Sequence, residues 1–273
     1  MNNIHTFVIC AYQKSPYLEE CIISLKKQTI SSKIVLATST PSEWLKKICD
    51  QYQIPYFVRE GNSNISIDWE FALSVTDTEY VTIAHQDDIY EPDYTENIIR
   101  MIKKNKQEPI LILFCDYMEL INGKKFYNRI NLNIKRMLLK VLKNDKKQDK
   151  MWRKRWILRF GNAICCPSVT YHLPTINLYM KQDDRHQLFE KHFRSNVDWE
   201  TWEWLSRKEG RFVYISKSLM SHRIHSDSET TATIKSNQRG REDYEMFNKF
   251  WPEWIAKLLT GLYQESEKGN VVS

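Results

Sequence analysis

The chain opens on a short apolar, β-branched run, HTFVICAY, that reads as a buried strand. The period then changes. In SPYLEECIISLKKQT the residues Leu18, Cys21, Ile22 and Leu25 recur at helical spacing, with Ser15 at an N-cap position, Pro16 in the first turn, acids early and bases late. KIVLAT predicts a strand, PSEWLKKICDQY a helix, YFVRE a short strand, DWEFALSV a helix and EYVTIA another strand. Strands separated by helices argue for an α/β fold with a mixed, mostly parallel central sheet flanked by helices.

Beyond this, PDYTENIIRMIKKN reads as a helix and PILILFCDYMELI as a strand, with NGK at 122–124 as a turn signal. Ile134, Met137, Leu138, Val141 and Leu142 repeat at i, i+3 and i+4, so the following basic segment is predicted mainly helical. NAICCPSVTYH reads as a strand, VDWETWEWLSRKEG as a helix ended by Gly210, and RFVYIS and SLMSHRIH as late strands. The segment from Tyr244 to Tyr263 predicts a C-terminal amphipathic helix running through Pro252.

In sheets of this kind ligands bind beyond the carboxyl ends of the strands. Three polar stretches fall there: Tyr12 to Ser15, Thr38 to Thr40, and His85 to Asp88. The last holds two adjacent aspartates directly after an apolar run. Such a pair is costly to desolvate unless a cation, a base or a hydrogen-bond donor meets it.

At 273 residues, 42% apolar and 27% charged, the composition is globular and suits one large domain or a domain with an appendage. The net charge of +6 is moderate, but its distribution is uneven. Lys135, Arg136, Lys140, Lys143, Lys146, Lys147, Lys150, Arg153, Lys154, Arg155 and Arg159 face only Asp145 and Asp149. That run suits a phosphate-rich partner, an anionic membrane surface or nucleic acid, or it is a solvated face. The six cysteines show no CxxC spacing and read as reduced core thiols. With no signal-peptide pattern and no apolar run of about 18 residues, the expected location is cytoplasmic, with membrane contact only peripheral at the inner face.

VICAYQKSPYLEECIISLKKQT and YVTIAHQDDIYEP resemble two regions of the family 2 glycosyltransferases, inverting nucleotide-sugar enzymes of the GT-A fold. The first is similar to their opening strand, loop and helix, with Ala11, Tyr12 and Gln13 where a Thr or Pro, an aromatic residue and Asn are usual. The second is similar to the strand ending in the acidic motif, with His85 in place of the leading Asp. A third stretch, NVDWETWEWLSRKEGRFVYISKSLMSHRIHSDSETT, resembles the segment in which an acid opens a helix and a late Arg-x-His closes the site. There Asp198 aligns with the catalytic base, preceded by Val197 where an acid is usual.

The resemblance implies a sugar transfer from a nucleotide-diphosphate sugar, by family expectation UDP-linked. The implied nucleotide-sugar contacts are Ala11, Tyr12, Gln13, Thr38, Asp68, Trp69, Gln86 and Asp87. The implied ligands of a divalent Mn²⁺ or Mg²⁺ are Asp87, Asp88 and His225. Thr38 and Ser39 stand where the family often has aspartates, so base recognition is expected to differ. Chemistry gives the reason for this set. A diphosphate leaving group needs its charge neutralised, and the acceptor hydroxyl needs a base on the far side of the anomeric carbon.

Plainer roles compete with these. Asp87 and Asp88 could cap a helix before Pro92, Asp198 and Glu200 could be first-turn acids, and Trp69, His222 and His225 could serve packing. The expected organisation is a GT-A unit over 1–240, with a donor half at 1–122, a basic helical insert at 131–160, an acceptor half at 161–240, and a helical tail at 241–273. The acceptor would be an oligosaccharide, glycoprotein or lipid-linked glycan of a bacterial surface, with homo-oligomer formation through the tail and no nucleic-acid partner. Two alternatives remain: a degenerate binding or regulatory subunit, and a nucleic-acid-binding protein built on the basic run.

Overall fold

The structure, a computed structural model, describes residues 4–225 and 237–268. Among these, a 9-stranded sheet has the order β3-β2-β1-β4-β8-β6-β9-β5, with β7 paired to β6. Strands β1 (His5–Ala11), β2 (Lys33–Thr38), β3 (Tyr56–Val58) and β4 (Tyr80–His85) run parallel. β6 (Ile110–Ile121) and β9 (Arg211–Ile224) form a second parallel pair. Between these blocks β8 (Val169–His172) is antiparallel to both β4 and β6, because the chain reaches it from the carboxyl-end side through a 3₁₀ turn at Cys166–Ser168. β5 (Ile89–Tyr90) and β7 (Lys124–Phe126) add antiparallel edges. The sheet is therefore mixed, with its parallel character confined to two blocks.

Both faces of the sheet are covered, which is why its strands read as near-continuous apolar runs. Phe7, Ile9 and Ala11 of β1 pack on the side of α1 (Leu18–Lys26), α2 (Glu43–Tyr52) and α4 (Tyr94–Lys104). Val8 points to the other side, against α3 (Ile65–Ser74), α7 (Leu173–Gln182) and α8 (Val197–Ser206). Each buried side chain of this size contributes about 1.5–3 kcal/mol. The helices α9 (Asn237–Asn248) and α10 (Glu253–Lys268) extend the second core, with Phe247 edge-on to the fully buried Trp199 at 5.1 Å.

Several elements differ from the sequence expectation. α1 begins at Leu18 rather than beside Ser15, because the Ser15 hydroxyl accepts the Tyr17 N–H at 3.2 Å and forms a turn first. The two late strands are one, β9, with register irregularities opposite Cys115, Asp116 and Tyr117. The C-terminal helix is two, since Pro252 has no N–H to continue α9 and instead starts α10, its carbonyl accepting from Ala256. α7 follows the apolar stretch after β8 without having been expected. The turn expected at 122–124 is present and closes a hairpin of β6 and β7, with Asn122 and Gly123 both left-handed (φ 48° and 77°).

The basic segment is broken into α5 (Ile130–Leu139), 3₁₀ turns at Lys140–Leu142 and Asp145–Lys147, and α6 (Met151–Trp156). Part of its charge is used inside the protein. Arg136 pairs with Asp116 at 2.7 Å, Arg155 pairs with Glu203, and Arg159 stacks 3.7 Å over the Trp251 ring. Lys154 is fully buried, donates to Gly210 O at 2.9 Å, and has its pKa pushed down to about 8 by that burial. The run thus divides into internal ties and an exposed group of lysines, Lys140, Lys143, Lys146, Lys147 and Lys150.

Candidate active site

β1 and β4 are adjacent and in register, with Cys10 opposite His85, so the residues that follow leave the sheet side by side. Gln86 Nε2 donates to Tyr12 O at 2.8 Å and the Tyr12 N–H donates to Gln86 Oε1 at 3.2 Å, joining both loops into one rim. Gln13 is left-handed (φ 53°), and its N–H donates to Thr40 Oγ1 at 2.6 Å, while the Thr40 N–H donates to Thr38 Oγ1 at 3.0 Å. Tyr12 and Gln13 are exposed on this rim, with Ala11 and Thr38 buried behind them.

Asp68, in the first turn of α3, accepts from Arg59 Nε at 2.9 Å and Nη2 at 2.6 Å, from the Ser39 and Ser63 hydroxyls at 3.0 and 2.7 Å, and from the Asn64 N–H at 3.1 Å. Its carboxylate is saturated by protein donors, so it ties the end of β2 to α3. Trp69 is buried, stacked on His85 at 5.7 Å and edge-on to Phe189 at 5.2 Å. It therefore orients the His85 ring from behind.

The adjacent aspartates have opposite surroundings. Asp88 is fully buried; its Oδ1 accepts the Arg223 N–H at 2.8 Å and lies 3.1 Å from His222 Nδ1. It anchors the end of β9 to the acidic loop. Asp87 is 19% exposed, and His225 Nε2 lies 2.8 Å from its Oδ2. Arg223 Nε donates to Asp87 O at 2.7 Å, and its guanidinium pairs with Glu20 and sits 4.1 Å over the Tyr17 ring. Burial alone would raise the Asp87 pKa, but the hydrogen bond with His225 and the charges of His85, His222 and His225 hold it below the usual carboxylate range. Burial would likewise lower the His222 pKa, and the Asp88 charge and hydrogen bond raise it.

His85, Asp87 and Asp88 each offer a ligand atom, all within 4.8 Å of one another, and His85 Nε2 is buried without a hydrogen-bond partner. Carboxylate oxygens beside an unsatisfied imidazole nitrogen fit a divalent cation. His85 is a potential ligand that the sequence reading did not name, although it occupies the place of the motif's leading acid.

Asp198 lies in the first turn of α8. Its Oδ2 accepts from Asn162 Nδ2 at 2.7 Å and its Oδ1 from the Trp199 N–H at 2.8 Å, and burial raises its pKa. Asn162 had no distinguishing signal in the sequence. Glu200 is neither exposed nor in the site; it is buried and paired with Arg185 at 2.6 Å. The turn carrying Cys165 and Cys166 is within electrostatic reach of both acids, its buried thiols pushed up by burial and by the charges of Asp88 and Asp198. The Ser/Thr-bearing stretch after His225, at 226–231, lies outside the described residues.

The model of glycosyl transferase family 2 matches residues 6–162. The chain belongs to this family. The match takes in the rim, Asp68, the acidic motif and Asn162, and ends before Asp198 and His225. Within the family's range of sequences, the chain is 23% identical over 133 residues to Glycosyltransferase GlyG of Streptococcus pneumoniae serotype 4 (strain ATCC BAA-334 / TIGR4), covering 46% of this chain and 44% of that protein. It thus spans less than half the length of this curated relative. Among solved structures, S. aureus TarS 1-349 in complex with UDP-GlcNAc superposes with a TM-score of 0.60 at 14% identity, covering 94% of this chain and 70% of that one. A longer S. aureus TarS chain gives 0.58 at 14% identity, covering 94% and 42%. These likenesses show the GT-A fold that the sequence resemblance implied.

Proposed function

We propose that the protein is an inverting glycosyltransferase that moves a sugar from a UDP-sugar to a glycan hydroxyl, with Asp198 as general base and a divalent Mn²⁺ or Mg²⁺ at the acidic loop. The observation that carries this reading is the pairing of Asp87 with His225 at the acidic loop together with an oriented, basic Asp198, the charges of Asp88 and Asp198 both acting on Cys165. TarS 1-349, of the same fold, has been crystallised with UDP-GlcNAc and with UDP, which supports UDP as the donor nucleotide.

On this reading the nucleoside end lies along the Tyr12, Gln13 and Thr38 to Thr40 rim, with Arg59 and Asp68 behind it. Asp87, with His85 and His225 beside it, would hold the cation, which when bound offsets the charge growing on the departing diphosphate. Asp198 takes the proton from the acceptor hydroxyl. Asn162 and the Trp199 N–H keep its carboxylate oriented, and burial keeps it basic. The donor half, the insert and the described part of the acceptor half then meet at this crevice, and α9 and α10 brace α8. The acceptor class is a bacterial surface glycan, glycoprotein or lipid-linked glycan, reached from the cytoplasmic side. No described helix is long and apolar enough to cross a membrane.

A thermal-shift comparison of UDP, GDP, CDP and UDP-GlcNAc, with and without Mn²⁺, tests the donor site. Wild type should show a UDP-selective, Mn²⁺-dependent rise, about 2.7 kcal/mol at a hundredfold excess over Kd, that Asp87→Ala abolishes. No shift with any nucleotide would sink the reading and favour a binding subunit.

A further inference from the structure

We propose that Lys135 is an anion-binding residue of this crevice, its ammonium meeting an oxyanion of the donor: a diphosphate oxygen, or a carboxylate on the transferred sugar. The inference rests on the glycosyltransferase reading above and deepens it.

Lys135 stands within the basic run, but its neighbour sets it apart. Arg136 places its guanidinium on Asp116 Oδ2 at 2.7 Å and on Tyr117 O at 2.9 Å, which clamps α5 across the carboxyl-terminal half of β6. Lys135 is thereby turned inward, with Nζ 3.1 Å from Tyr117 Oη and 5.6 Å from the centre of that ring. The Tyr117 ring meets His222 edge-on at 6.4 Å, and His222 is bonded to Asp88. Lys135 is therefore two side chains removed from the acidic loop. Its charge also acts on Cys165 and on Asp198, so it stands within electrostatic reach of both acid centres. In an in-line displacement the sugar lies between the diphosphate and the base, and a cation in reach of both lies beside that path.

The contrast is with the other inward-facing cations, since Lys140, Lys143, Lys146, Lys147 and Lys150 are exposed to solvent. Arg136 and Arg155 have carboxylate partners, and Lys154 is enclosed by backbone carbonyls. For Lys135 no carboxylate lies within 4.0 Å among the described residues, and its hydrogen bond goes to a neutral phenol. A partly buried ammonium whose partner is one neutral phenol has lost hydration that the protein replaces only in part. A charge-assisted bond from an incoming oxyanion supplies it.

The test measures Kd by calorimetry, with Mn²⁺ present, for UDP, UDP-glucose and UDP-glucuronate on wild type, Lys135→Met, Lys135→Gln and Lys135→Arg, alongside the melting temperature of each unliganded variant. If the oxyanion is a diphosphate oxygen, the neutral variants should bind all three ligands about tenfold or more weaker, and Lys135→Arg should recover most of the loss. If it is a sugar carboxylate, only UDP-glucuronate should weaken. A purely structural role would lower the unliganded melting temperature and leave every Kd unchanged, and that result overturns the proposal. Lys135→Gln keeps a donor for Tyr117, so the comparison survives if Lys135→Met does not fold. Absence of nucleotide binding by wild type overturns the transferase reading itself, and the Lys135 proposal with it.

Discussion

Asp87 and Asp88 are chain neighbours with different physical roles, set by the turn after β4 in which the Asp88 N–H donates to His85 O at 3.2 Å. Asp88 turns into the protein and is consumed by Arg223 N–H and His222; Asp87 stays at the crevice with His225. Asp198 is the residue whose environment has the plainest consequence. Burial places its folded-state pKa above the ordinary value of about 3.9, so the folded protein binds that proton more readily than the unfolded chain does. Stability from this group is present below the ordinary pKa and is lost as pH rises through the raised one. At neutral pH the ionised form costs stability while supplying basicity. Asp198→Asn should therefore raise the melting temperature and lower kcat by about 10²–10⁴-fold with UDP affinity retained. The wild-type activity profile should fall on acidification through a pKa above that of a free carboxylate, and the Asn variant should lose that limb. Equal kcat in both proteins would remove Asp198 as the base.

At the scale of elements, the base depends on how the tail is seated. Gly161 has φ 132°, and a Cβ there would meet the Tyr263 ring of α10 at 2.6 Å. Tyr263 in turn packs against Trp199 at 5.8 Å and Phe247 at 5.8 Å, next to Asp198 in the chain. Gly161→Ala should destabilise the protein by about 1–3 kcal/mol in urea unfolding and lower kcat more than UDP affinity, because α10 is displaced behind α8 while the donor rim is untouched. An unchanged urea midpoint would show that the ring moves aside freely. The broken helices of the basic run and the tail share one lesson. Helical spacing marked which positions are apolar, but 3₁₀ turns and Pro252 decided where each helix stops.

At the scale of the molecule, Trp254, Leu258 and Leu262 of α10 are 71%, 59% and 60% exposed, at i, i+4 and i+8. The helix carries a Glu253–Lys257 pair at 2.6 Å beside this stripe and no run of cations, so its borders suit a second copy of the chain better than an anionic membrane. Light scattering across a concentration series should show a dimer that Leu258→Lys returns to monomer; a wild type that is monomeric throughout would set this aside.

Most of the order of strands and helices and the acidic loop after β4 were legible in the sequence because burial on two faces and helical period leave local marks. So was the candidacy of Asp198, through its resemblance to the family's late segment. Three things were decided only by tertiary structure: the antiparallel entry of β8, the internal use of Arg136, Lys154, Arg155 and Arg159, and the placing of Asn162 on Asp198 and of Lys135 beside Tyr117. The reason is common to all three. A charge or an amide in a sequence carries no record of its partner, and here the partners lie 18 to 92 residues away, where only the packing of sheet and helices brings them into reach.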